Sequence, residues 1–185
     1  MIVDATGIKV CGEGEWKRKI HGKNSSRKWI KLPVIIDEKT QEIISEVSTS
    51  SSVSDGKALP EMMKKVPRSA RTLIGDGAYD HHWIRALMKN RGGRILAPPP
   101  KNGVCRGIDL DRDQAVKDIS LLGGDLVGRS LWGKLTGYSR RALVETTFSR
   151  YKRMFGGASF SRTEERIKVE NRLKCLLLNK MIRRT

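Results

Sequence analysis

Short β-branched runs dominate the first half of the chain, and apolar residues at helical spacing dominate the second. Met1 to Thr6 is an apolar run that ends in an acid, Asp4, and leads to the expectation either of a very short first strand or of a chain that lacks a preceding segment. Trp29 to Asp37 and Glu42 to Thr49 are β-branched and flank the four residues Glu38 to Gln41, the pattern of an antiparallel hairpin. Leu59, Met62, Met63 and Val66 form the buried side of a predicted helix over Lys57 to Val66, capped by Asp55. Arg71 to Ile74 predicts a strand running into Gly75-Asp76-Gly77, and Asp80 is placed to cap a helix over His81 to Asn90 with Trp83, Ile84, Leu87 and Met88 inward. Arg94 to Ala97 predicts one more strand, stopped by Pro98, Pro99 and Pro100. Residues 101–137 are polar or glycine-punctuated and read as an insertion. Two helices follow, one over Tyr138 to Lys152 and one over Thr163 to Arg183, the latter with Val169, Leu173, Leu176, Leu177 and Met181 as the side that packs across the sheet.

The first of those two helices carries the densest chemistry. At about 100° per residue, Tyr138, Arg141, Glu145 and Lys152 fall within one stripe about 60° wide. Leu143, Val144, Phe148, Tyr151 and Phe155 occupy the adjoining arc that faces a core, so the polar stripe lies at the edge of the buried face. Taken alone, Arg141 and Glu145 also fit a solvated i,i+4 ion pair. Two further acids change the picture, because Asp4 and Asp76 each sit at a predicted strand end, where sites of α/β sheets are commonly built. The glycines flanking Asp76 allow a sharp turn and close approach, although an ordinary turn aspartate fits the same residues. Asp109, Asp111 and Asp113 alternate like a calcium loop, but Gln114 and Ser120 stand where that loop needs glycine and glutamate. His81 and His82 have no partner at metal-ligand spacing.

Charge narrows the class of partner. Thirty-seven Lys and Arg against twenty Asp and Glu give a net charge of +17, which points to a polyanion and, without a basic amphipathic anchor, to nucleic acid rather than a membrane. Lys17, Arg18, Lys19, Lys23, Arg27, Lys28 and Lys31 surround Trp16 and Trp29 in a glycine-punctuated stretch that suits a nucleic-acid backbone, or an exposed loop with two core tryptophans. No apolar run approaches the ~18 residues of a membrane span, and no signal-peptide pattern opens the chain. Cys11, Cys105 and Cys175 are odd in number, widely spaced and without a C-x-x-C, so neither a disulfide framework nor a zinc cluster is indicated and a reducing compartment fits.

Asp4 in IVDATG, Asp76 in IGDGAYD, and the pattern Y-x-x-R-x-x-x-E-x-x-x-x-x-x-K met by Tyr138, Arg141, Glu145 and Lys152 together resemble the DDE transposases of bacterial insertion sequences. The resemblance covers nearly the whole chain, with Phe155-Gly156-Gly157 and the LLLNK run near the C-terminus adding to it. It implies an α/β, ribonuclease-H-like mixed sheet of about five strands flanked by helices, with the insertion ahead of the helix that carries Glu145. It implies a single catalytic domain over residues 1–185, in which Asp4, Asp76 and Glu145 hold two divalent cations, Mg2+ or Mn2+ in its place. Tyr138, Arg141 and Lys152 would hold DNA phosphates beside them, with Lys23, Arg27 and Lys28 as further DNA contacts.

The activity so implied is metal-dependent strand cleavage at the ends of a transposon, followed by attack of the exposed 3′-hydroxyl on target DNA. The implied partners are double-stranded DNA at transposon ends and target, and a second copy in a synaptic complex, in a bacterial cytoplasm at the nucleoid. Family members carry a helical recognition region before the first catalytic aspartate; only three residues precede Asp4 here, which leads to the expectation of a separately encoded N-terminal part or of a truncated chain. Two other readings remain open at this stage: an inactive remnant serving as a basic DNA-binding module, and a nuclease or resolvase of the same fold.

Overall fold

The computed structural model describes residues 1–10 and 28–184. Seven strands are present among them: β1 (Ile2–Val10), β2 (Trp29–Ile36), β3 (Ile43–Glu46), β4 (Thr49–Ser50), β5 (Thr72–Ile74), β6 (Arg94–Leu96) and β7 (Ala158–Ser159). The helices are α1 (Leu59–Met62), α2 (His82–Asn90), α3 (Leu110–Leu121), α4 (Leu126–Thr136), α5 (Ala142–Phe155) and α6 (Glu164–Ile182). The main sheet runs β3-β2-β1-β5-β6, with β4 on β2 and β7 on β1. The first three strands are antiparallel, and β1, β5 and β6 are parallel. This is the mixed sheet flanked by helices that the resemblance implied: the main path has five strands, and β4 and β7 are two-residue additions.

Alternation of side chains along each strand divides the core into two layers. Val3, Ile35 and Leu73 face one way and pack with Leu59, Met62, Ile84 and Met88 of α1 and α2. Ile2, Ile8, Leu32, Val34, Ile36 and Ile74 face the other way and pack with Val144 and Tyr151 of α5 and with Cys175 and Leu178 of α6. Leu143, Phe148 and Phe155 lie half-buried against that second layer, as the helical spacing predicted.

Several expectations are corrected. β1 is nine residues long rather than very short, because β2 pairs with it from Ile2↔Ile36 to Lys9↔Trp29. Residues 101–137 hold two helices, capped by Asp109, whose carboxylate accepts from the Arg112 amide, and by Asp125, which accepts from the Gly128 amide. Tyr138–Arg141 is a 3-10 turn, so α5 begins only at Ala142. Asp55 caps nothing; it opens a 3-10 turn (Asp55–Ala58) and pairs with Lys31 Nζ at 2.9 Å. Asp80 does not cap α2 either, and Trp83 is exposed rather than inward.

The largest departure concerns α6. Val169, Leu173, Leu176, Leu177 and Met181 are each more than half exposed, while Ile167, Asn171, Lys174, Cys175 and Leu178 are buried. Polar side chains on the inner face are the cause, since they complete the hydrogen bonding of the sheet edge. Asn179 accepts from the Ile43 amide and donates to the Ile43 carbonyl, both at 2.8 Å. Asn171 donates to Ser48 Oγ and accepts from the Tyr151 hydroxyl, both at 3.0 Å. A polar group with such partners is buried at little net cost, and that outweighs the apolar count of the other face.

Candidate catalytic site

Asp4 is the third residue of β1, and its place in the sheet explains why it is open to the site. β5 accompanies β1 only as far as the pair Ile2↔Ile74, and β7 joins that edge only at Lys9↔Ala158, so between them the parallel edge of β1 is uncovered. Asp4 and Asp76 each lie two residues beyond this pair, and neighbouring strands are ~4.8 Å apart. After Gly75 the chain leaves the sheet, and the Asp76 carboxylate accepts from the Ala78 amide at 2.9 Å to start the 3-10 turn Gly77–Tyr79.

Glu145 lies in the first turn of α5, where the helix dipole favours an acid. Arg141 joins it to Asp4. Its Nη1 donates to Asp4 Oδ2 and its Nη2 to Glu145 Oε1, each at 2.7 Å. One guanidinium therefore bridges the strand acid and the helix acid. Tyr138 stands beside them with its ring 5.5 Å from that of Trp132. Burial raises the Tyr138 hydroxyl above its ordinary range; Arg141 opposes the rise, while Asp76 and Asp4 add to it.

Negative charge is in excess here. Burial pushes the Asp4 carboxyl above its ordinary value, against the Ala5 amide and Arg141, and Asp76 and Asp55 add to the rise. Tyr79, on the turn that Asp76 starts, feels the same three acids, and its buried hydroxyl has no hydrogen-bond partner among the described residues. The donor set is oxygen only, which fits a hard divalent cation such as Mg2+ or Mn2+. As the side chains stand, no group of three His, Cys, Asp or Glu among the described residues is gathered closely enough to hold a metal ion, and Arg141 lies between Asp4 and Glu145.

The structure thus brings Asp4, Asp76, Glu145, Tyr138 and Arg141 to one end of the sheet. Lys152 is exposed near the far end of α5. Lys28 lies elsewhere, 4.0 Å from Glu164 at the start of α6. Lys23 and Arg27 fall outside the described residues, as do Trp16 and Cys11.

One cluster beside the site was missed by sequence reasoning. Asp80 is almost fully buried and accepts from Arg85 Nε at 3.1 Å and Nη2 at 2.6 Å, and from Arg112 Nε at 3.0 Å. Arg85 also donates to the Ala97 carbonyl and Arg112 to the Val104 carbonyl. The available signal was Asp80 four residues after Asp76 with Arg85 five residues further; Arg112, 32 residues away, had none.

Residues 1–180 match the protein-family model described as the transposase DDE domain. No solved structure matches the chain.

Proposed function

Because the chain belongs to the transposase DDE domain family, we propose that Asp4, Asp76 and Glu145 are its catalytic acids in metal-dependent DNA strand cleavage and strand transfer. The observation that carries this reading is the bridge from Asp4 through Arg141 to Glu145, at a sheet end where Asp76 takes the matching place on the next parallel strand. Asp4, Asp76 and Glu145 would hold two divalent cations, Mg2+ or Mn2+. Bound there, such ions supply positive charge to both the attacking and the leaving oxygen of an in-line phosphoryl transfer.

The remaining work belongs to the chain's own side chains. Arg141 presents two parallel donors that now hold two carboxylates, and the same planar fork fits two oxygens of a phosphodiester. Tyr138, pinned by Trp132, offers a hydroxyl on the same side, and Lys152 extends the phosphate contact along α5. Lys23, Arg27 and Lys28 would add backbone contacts to duplex DNA outside the site. In this reading residues 1–185 act as one catalytic domain, two copies of which pair transposon ends before joining them to a target.

The test is strand cleavage of a duplex bearing the element's end, followed by gel electrophoresis. Cleavage is expected with Mg2+ or Mn2+, and none with Ca2+, which accepts looser geometry at longer ligand distances. Cleavage that persists in a chelator contradicts the proposal.

A further inference from the structure

We infer that the hairpin α3–α4 is a bracket that sets the position of Asp76 relative to Glu145, acting through Arg112 at one end and Trp132 at the other. The inference rests on the reading of Asp76 and Glu145 as members of one cation site. Neither Arg112 nor Trp132 is a catalytic residue; both are positioning residues.

The hairpin has a small core of its own and touches the turn that follows Asp76 and the turn that precedes α5. Ala115 and Ile119 of α3 pack with Trp132 of α4 in a small core of their own, against Leu96, Leu122 and Tyr138. Gly128 lets the two helices close, since a Cβ there would come within 2.4 Å of the Leu122 carbonyl oxygen. From α3, Arg112 reaches Asp80, which ends the 3-10 turn that Asp76 begins. That turn is therefore held at both ends, by Asp76 bonding the Ala78 amide and by Asp80 bonding two arginines. Arg129 of α4 adds a bond to the Pro99 carbonyl at 2.9 Å, past the end of β6.

From α4, Trp132 packs against Tyr138 with ring centroids 5.5 Å apart and planes tilted by 40°, and Gly133 faces the Tyr138 and Ser139 side chains. Gly137 at φ 78° turns α4 directly into Tyr138–Arg141, and α5 with Glu145 follows without a break. The buried pairing of Asp80 with two arginines gains little net stability over an apolar core, yet it fixes geometry because an uncompensated buried charge is costly. Such supporting contacts behave like the outer partners of metal ligands, whose loss weakens metal binding while the ligands remain.

The experiment measures Mn2+ binding to the full DNA-free chain by electron paramagnetic resonance of the free ion, beside the thermal unfolding midpoint in chelator. Arg112→Gln and Trp132→Ala should each weaken Mn2+ binding on the order of tenfold. Arg112→Lys, which keeps the charge but not the fork, and Trp132→Phe should show a smaller loss in the same direction, and they carry the test if the harsher variants do not fold. Ile167→Ala, buried on α6 outside the hairpin, should lower the unfolding midpoint and leave Mn2+ binding unchanged. Hairpin variants that bind Mn2+ as tightly as wild type, or lose affinity only as Ile167→Ala does, overturn the inference. Asp76→Asn is the separate control: wild-type Mn2+ binding in that variant contradicts the assignment of the site itself, and the bracket with it.

Discussion

Arg141 sets the charge balance of the site, because a single guanidinium answers two carboxylates while Asp76 adds further negative charge nearby. Asp4 shows the imbalance, its carboxyl raised by burial despite Arg141. A raised folded-state value means that stability is fully present below the unfolded-state value and is lost as pH rises through the folded-state one. Ionised Asp4 is therefore a net cost to the cation-free fold at neutral pH. Asp4→Asn should raise the unfolding midpoint in chelator, with a gain that grows from about pH 4 toward neutrality; a midpoint lowered at pH 7 contradicts this. The pairing of Arg141 with Glu145 was legible in the sequence because their i,i+4 spacing brings them together at a helix start, whereas Tyr138 and Arg141 lie in a 3-10 turn and Lys152 stands at the far end of α5. The link from Arg141 to Asp4 was not, since it spans 137 residues and depends on α5 crossing β1.

Among the elements, β2, β5, β6 and the hairpin turn were read correctly because their signals are local: β-branched runs, and Asp37 accepting from the Lys39 and Thr40 amides. The faces of α6 and the role of Asp80 were not, because both depend on partners remote in sequence. Residues 101–137 concealed two helices for a related reason: their burial against each other is confined to a few residues, so no long apolar stripe marks them. Another such remote contact joins α6 to β7. Glu170 accepts from Ser159 Oγ, the Phe160 and Ser161 amides and Lys174 Nζ. Burial works against ionisation there, but these bonds together hold its carboxyl well below the usual range. A lowered value gives stability that is present above the unfolded-state value and is lost as pH falls through the folded-state one. Glu170→Gln should cost about 1–3 kcal/mol at neutral pH, by denaturant titration, and the gap to wild type should narrow below about pH 4.5. An unchanged gap at pH 3 would show that the bonds, not the charge, carry the effect.

At the scale of the whole molecule, a chain of net charge +17 should bind duplex DNA of any sequence through its phosphates. Its affinity should fall with salt at a log–log slope of about −0.9 per phosphate neutralised, and charge reversal of Lys23, Arg27 and Lys28 together should flatten that slope equally for every sequence. A preference of roughly tenfold, about 1.4 kcal/mol, for a transposon end over a scrambled duplex would show that this chain reads bases itself. Binding and chemistry are separable, because the acids at the sheet end contribute little attraction to a polyanion. The most direct measurement is therefore made on wild type, Asp4→Asn, Asp76→Asn and Glu145→Gln together: duplex binding by fluorescence anisotropy and strand cleavage in Mg2+ or Mn2+ on the same preparations. All four proteins are expected to bind duplex DNA with similar affinity, and only the wild type to cleave it. Cleavage retained in any one of the three variants would contradict the assignment of that acid, and with it the claim that Asp4, Asp76 and Glu145 act as one site.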